Sequence, residues 1–209
     1  MKAFHSFLRR LPFYALLKRG GHYPDYWYWK LRGKPERIPH LVKQRTVLEY
    51  AAKFGLKTLI ETGTYYGEMV SAMSTHFDAL YSIEQNNALA ERAAKEFAGD
   101  SRIHIIHGDS KTVLPELLRS LTQPALFWLD AGYYGWEGQS GDRTRLGVEL
   151  EAILRDSIKG HVVLMDDANG LNGKNGAPTI SDLTAYFAKN FPGREVRVAN
   201  NILRVIPAK

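Results

Sequence analysis

Thr58-Leu59-Ile60-Glu61-Thr62-Gly63-Thr64-Tyr65-Tyr66-Gly67 is the stretch on which the reading of this chain turns. A short apolar run ends in an acid, and two glycines follow before a new amphipathic segment begins. Gly63 lets the backbone turn tightly, and Gly67 lets the next helix start close to the strand it left. The spacing is not the GxGxxG of a nicotinamide site; it is the looser E-x-G-x-x-x-G.

Outward from there the pattern is regular. Apolar runs at Thr58–Glu61, Ala79–Ile83, Ile103–Ile106, Ala125–Leu129 and Val162–Met165 read as strands. Helix-length segments lie around them at Leu41–Phe54, Gly67–Phe77, Asn87–Phe97, Lys111–Leu121, Arg143–Ser157 and Ile180–Asn190, and Gly55 supplies a stop for the first. Strands separated by helices of this length imply right-handed crossovers and a parallel sheet covered on both faces. Val196–Ala199 and Ile202–Val205 then alternate with period two across Asn200-Asn201, residues that tolerate the positive φ of a tight hairpin. The expectation is an α/β, Rossmann-like, doubly wound and mostly parallel sheet finished by an antiparallel hairpin strand.

The 209 residues suit one domain with an appendage: residues 1–40 as a basic, aromatic leader or collar, and 41–209 as the main domain. Residues 1–45 hold eleven Lys/Arg against Asp25 and Glu36, while the remainder is mildly acidic, with seventeen Lys/Arg against twenty acids. A nucleic-acid groove would place its basic surface on the domain itself, so nucleic acid is not the expected partner. The leader does not read as a signal peptide, because Pro12 breaks its apolar run and Lys18-Arg19 follow it. With Tyr23, Tyr26, Trp27, Tyr28 and Trp29 among basic residues, it reads as a helical collar over the core. The alternatives are contact with an anionic membrane surface, a partner or another copy of the chain. Cysteine is absent, which fits a reducing cytoplasm, peripheral at a membrane if the leader binds one.

In open α/β sheets ligands bind beyond the carboxyl ends of the strands. Glu61 ends the first strand, Glu84 follows the second, and Gly108-Asp109-Ser110 follow the third. Such acids suit a methionine ammonium, a ribose diol and an adenine amino group in turn, and each has an alternative as a helix N-cap. Asp130 follows the fourth strand and Asp166-Asp167 the fifth. Three converging carboxylates repel one another unless a cation sits between them or one stays protonated. With no His or Cys beside them, such ligands favour Mg²⁺ or another hard divalent ion. The alternative has Asp166 and Asp167 serving the loop's own backbone.

On these residues the chain from about 42 to 206 resembles the class I S-adenosylmethionine-dependent methyltransferases. It is most similar to bacterial proteins carrying F-W-L-D-A-H-Y and I-D-D-A-R, which are similar in layout to the macrocin-type metal-dependent O-methyltransferases. Here the phrases read Phe127-Trp128-Leu129-Asp130-Ala131-Gly132-Tyr133 and Met165-Asp166-Asp167-Ala168-Asn169. The resemblance implies a seven-stranded sheet, S-adenosylmethionine as cofactor and a small-molecule or glycan hydroxyl as acceptor. It implies a cofactor site drawn from Glu61, Gly63, Thr64, Tyr65, Gly67, Glu84, Asp109, Ser110 and Asp130. It implies Asp130, Asp166 and Asp167 as Mg²⁺ ligands, with Asp130 and Asp166 catalytic. Gly132 and Asn169 depart from the pattern: Gly132 cannot take the acceptor proton that an acid or His takes at that position. Tyr133, Tyr134, Glu137 and Asp142 are the nearby replacements, on a glycine-hinged loop, 132–138, that suits a lid. A catalytically silent binding or scaffold protein that keeps the cofactor fold is the competing reading, and a nucleic-acid methyltransferase a third.

Overall fold

The computed structural model describes residues 25–33, 38–130, 145–174 and 177–208. The helices are α1 (His40–Phe54), α2 (Glu68–Met73), α3 (Asn87–Phe97), α4 (Ser110–Ser120), α5 (Arg145–Arg155) and α6 (Ile180–Asn190). The strands are β1 (Thr58–Thr62), β2 (Ala79–Glu84), β3 (Ile103–His107), β4 (Leu126–Leu129), β5 (Val162–Met165), β6 (Arg194–Ala199) and β7 (Ile202–Pro207). They form one seven-stranded sheet in the order β3-β2-β1-β4-β5-β7-β6. The first five strands pair in parallel, and β7 runs antiparallel to β5 and β6. This is the doubly wound sheet with a closing hairpin expected from the sequence.

Side chains alternate across a strand, and that parity divides the core in two. Leu59, Leu80, Leu126, Trp128, Val162 and Leu164 face one layer with Val42, Val47 and Tyr50 of α1 and Met69, Val70 and Met73 of α2. Ile60, Ile83, Phe127, Leu129, Val163 and Met165 face the other, with Leu114 of α4, Leu150, Ile153 and Leu154 of α5 and Phe187 of α6. Strands buried on both faces read as continuous apolar runs for this reason.

Local chemistry fixes the ends. Gly55 sits at φ 67° and its N–H bonds back to the last turn of α1, the left-handed stop that glycine adopts without strain. Asn200 and Asn201 sit at φ 47° and 55°, so the β6–β7 turn is the twist-matched kind. Helix α2 is shorter than the expected Gly67–Phe77. Ser74 ends it and donates its hydroxyl to Ser71 O at 3.1 Å, the back-bonding that weakens a helix end.

Residues 25–31 are helical. Trp29 is 5% exposed and packs into the layer under α1 with Ile38, whereas Trp27 is 54% exposed, with Lys30 Nζ 5.1 Å from its ring centre. Residues 1–24 lie outside the described part of the chain. Among the described residues no helix is long and apolar enough to cross a membrane. Trp29→Ala is expected to cost about 3–5 kcal/mol of stability in urea unfolding. Trp27→Ala should stay within about 0.5 kcal/mol. Equal losses would contradict this placement of the helix.

Candidate functional site

At the carboxyl edge, backbone bonds extend the ladder past the strands. Gly63 N donates to Ile83 O at 2.9 Å, Gly108 N to Glu84 O at 3.0 Å, Asp130 N to Thr62 O at 3.0 Å and Asp166 N to Leu129 O at 3.1 Å. The acids expected at the strand ends therefore do stand side by side along one rim. Gly63 takes φ 91° and Gly67 φ 71°. A Cβ on Gly67 would meet the Phe97 ring at 2.8 Å, so the close approach here is to the end of α3 and not to the preceding strand that the sequence suggested.

Glu61 shares its sheet face with Ser82, its cross-strand partner on β2, and with Trp128 on β4. Ser82 Oγ donates to Glu61 Oε2 at 2.6 Å and lies 2.6 Å from Thr64 Oγ1. Burial pushes the Glu61 carboxyl from an ordinary 4.5 up to about 8; the Ser82 bond opposes the rise, and Asp130 and Glu84 add to it. Glu84 staples two loops: Oε2 accepts from Tyr65 N and Oε1 from Asn86 N, each at 2.8 Å. Tyr65 itself takes φ 49°. Asp109 caps α4, accepting from Lys111 N at 3.0 Å. Glu84 and Asp109 thus hold backbone as well as standing at the rim.

On the other half of the rim, Asp130 and Asp166 continue β4 and β5 on the face that carries Trp128 and Leu164. That face is covered by α1, and α1 carries Lys43. The Lys43 ammonium pairs with Asp166 Oδ2 and lies 3.6 Å from Asp130 Oδ2. Side-chain exposure is 19% for Lys43, 36% for Asp130 and 1% for Asp166. Burial works against the lysine's charge, but Asp130, Asp166 and Asp167 outweigh it, so its pKa is raised. Burial lifts Asp130 to about 7, with Lys43 pulling it down and Asp166 and Asp167 pushing it up. Asp166 is raised by burial too, against the pull of Lys43.

Asp167 reaches the same cluster differently. It sits at φ 54° and accepts from Asn201 Nδ2 at 3.1 Å, while Asn201 Oδ1 accepts from Asn169 N at 2.7 Å. The β6–β7 hairpin thus clamps the loop after β5. Carboxylate oxygens of Asp130, Asp166 and Asp167 lie within 4.8 Å of one another.

Ser110 Oγ, Trp128 Nε1 and Asp166 Oδ1 are buried and lack a hydrogen-bond partner among the described residues, although the Trp128 indole is near enough to Asp130 to favour its anion. All three belong to the carboxyl half of the sheet. Dry polar atoms are costly, so a ligand or water at this edge has partners waiting. Gly132, Tyr133, Tyr134, Glu137, Asp142 and the expected lid, 132–138, lie outside the described residues. His161 is structural: its Nδ1 accepts from Ala125 N at 3.0 Å.

Sequence reasoning missed Lys43, Ser82 and Asn201. Lys43 had a signal. It lies on the stripe Lys43, Val47, Tyr50 and Phe54, the helical spacing of a buried face. A charge there needs a partner.

No family model matches the chain, and no curated protein matches it in sequence. Solved structures match it in shape. The O-methyltransferase TomG from Streptomyces achromogenes, involved in tomaymycin synthesis and solved with S-adenosylmethionine, is 17% identical with a TM-score of 0.60. The match covers 88% of this chain and 87% of that one. The O-methyltransferase from Bacillus cereus, solved with S-adenosylhomocysteine, is 14% identical with a TM-score of 0.59, over 79% and 80%. The N-methyltransferase NodS from Bradyrhizobium japonicum is 14% identical with a TM-score of 0.56, over 81% and 97%. The fold is theirs. At such identity the likeness speaks for fold, and activity has to be argued from the site.

The Glu61 carboxyl offers a test of this electrostatic picture. Its folded pKa lies above its unfolded value, so the stability it contributes is present below pH about 4.5 and is lost as pH rises through about 8. Glu61→Gln removes the cost of ionisation. Its melting temperature should gain on the wild type progressively from pH 5 to pH 8.5; a gap independent of pH would show that Glu61 is not a buried, proton-retaining acid.

Proposed function

We propose that the chain binds S-adenosylmethionine along the ends of β1, β2 and β3 and methylates a hydroxyl of a small molecule or glycan. The observation that carries this reading is the alignment of Glu61, Glu84 and Asp109 at three adjacent strand ends, above the Gly63–Gly67 turn. The fold is one in which neighbours were solved with this cofactor or its product. Ser110 Oγ offers a further hydrogen-bonding group on the same side.

The bound cofactor supplies an electrophilic methyl carbon on a sulfonium. In the transfer the acceptor oxygen forms a bond to that carbon, the carbon–sulfur bond breaks with its electron pair going to sulfur, and the hydroxyl proton goes to a base. Asp130 is placed for that last role. It is the more open of the two acids that contact Lys43, and its pKa of about 7 suits proton transfer near neutrality. It supplies a carboxylate where Gly132 supplies none. Lys43 lies beside it and balances its charge. Binding energy and alignment do the rest, since in-line displacement depends on holding the reacting atoms together.

The divalent ion expected at Asp130, Asp166 and Asp167 meets a competitor in this structure. The three oxygens are close enough to share an ion. The Lys43 ammonium, however, already lies against two of the three acids. The residues do not fit a resident metal while Lys43 stays there.

Calorimetry of the full chain with S-adenosylmethionine tests the proposal, followed by an acceptor screen read by release of S-adenosylhomocysteine. Binding should weaken about ten- to a hundredfold in Glu84→Ala, the scale of a charge-assisted hydrogen bond. With an acceptor in hand, Asp130→Asn should lower kcat by roughly 10²–10⁴. The wild-type rate should rise with pH through about 7, because the base must be deprotonated. Cofactor binding with no turnover on any acceptor would support the silent binding protein that Gly132 suggests. No cofactor binding at all would end the methyltransferase reading and leave only the scaffold one.

A further inference from the structure

We infer that Lys43 is the resident cation of the acidic cluster: its ammonium holds the place between Asp130 and Asp166 that a divalent ion would occupy, and closes that place to metal.

Position comes first. Lys43 is far from both acids in sequence, but in space α1 packs directly on the face where β4 and β5 end. Its Nζ contacts Asp166 and stands 3.6 Å from Asp130, so it lies against two of the three acids. Burial supports permanence. The side chain is largely enclosed, on the stripe that carries the buried Val47 and Tyr50. Charge supports it as well. An ammonium and a hard dication within a few ångströms of each other repel strongly in a poorly solvated site, so the two cannot share one set of oxygens. Mg²⁺ also demands near-octahedral oxygen coordination at short range, and a lysine set between two of its three ligands denies that.

The chemistry differs from that of a metal. A lysine offers three N–H donors with fixed single charge and no open coordination position. One donor is taken by Asp166, and Asp130 stands at ion-pair distance, 3.6 Å. What remains is a donor that can meet an acceptor oxygen; this last role rests on the proposed methyl transfer, whereas exclusion of metal does not.

The test is a Mn²⁺ titration of the full chain without cofactor or acceptor, followed by electron paramagnetic resonance of free ion. The wild type should show no site at sub-millimolar Mn²⁺, the range in which weak oxygen-ligand sites fill. Lys43→Met should bind Mn²⁺ at least about tenfold more tightly than the wild type, and adding Asp166→Asn to it should abolish that gain. Lys43→Arg, which keeps the charge, should bind no better than the wild type. A wild-type site lost in Asp166→Asn would overturn the inference, and so would a Lys43→Met protein that binds Mn²⁺ no better than its parent. If Lys43→Met does not fold, the wild-type titration and its Asp166→Asn control still decide, because neither needs that variant. Because no cofactor is present, the outcome is separate from the success or failure of the methyltransferase reading.

Discussion

Lys43 reaches from α1 to the ends of β4 and β5, and its ammonium sits among Asp130, Asp166 and Asp167. Without it, three acids on one rim would have to shed their charge or push the strand ends apart. A buried ion pair of this kind does not by itself add much stability, because desolvation offsets attraction. Its consequence is positional. Removing either partner leaves an uncompensated charge in a closed space, so α1 is held at one register over the sheet.

The arrangement follows from strand parity. Residues of one parity on β1, β2, β4 and β5 face the layer under α1 and α2, and those of the other face α4, α5 and α6. Glu61, Ser82 and Trp128 share the first face, and Asp130 and Asp166 extend it by one step past the strands. A one-residue shift in any strand would turn its acid to the other layer. The apolar residues on both faces resist such a shift, so the packing that folds the sheet also aims the site. The hairpin contributes a clamp, as Asn201 fixes both Asp167 and the backbone of Asn169.

Much of this was legible along the chain. Val162–Met165, Asn87–Phe97 and Ile180–Asn190 fall where apolar period and polar boundaries placed them. Gly55 and Asn200-Asn201 were readable because their backbone chemistry is local. The convergence of strand-end acids could be read because a parallel sheet leaves its carboxyl ends on one side. What could not be read depends on contacts between distant segments. Lys43 and Asp166 are 123 positions apart, and nothing in the spacing of either shows that α1 crosses above β5. The need for a cation was visible in the acids; that Lys43 reaches two of them was not. Glu84 likewise looks like a ligand-holding acid in sequence, yet much of its hydrogen-bonding capacity serves Tyr65 and Asn86.

The most direct measurement is a double-mutant cycle on Lys43→Met and Asp166→Asn, read as unfolding free energies in urea. If the ammonium and the buried carboxylate are mutual partners, each single change should cost about 3–5 kcal/mol, and the double should fall short of the sum by at least about 1 kcal/mol. Additive losses, within about 0.5 kcal/mol, would mean that the two groups do not depend on each other, and that something else balances the acids of this rim.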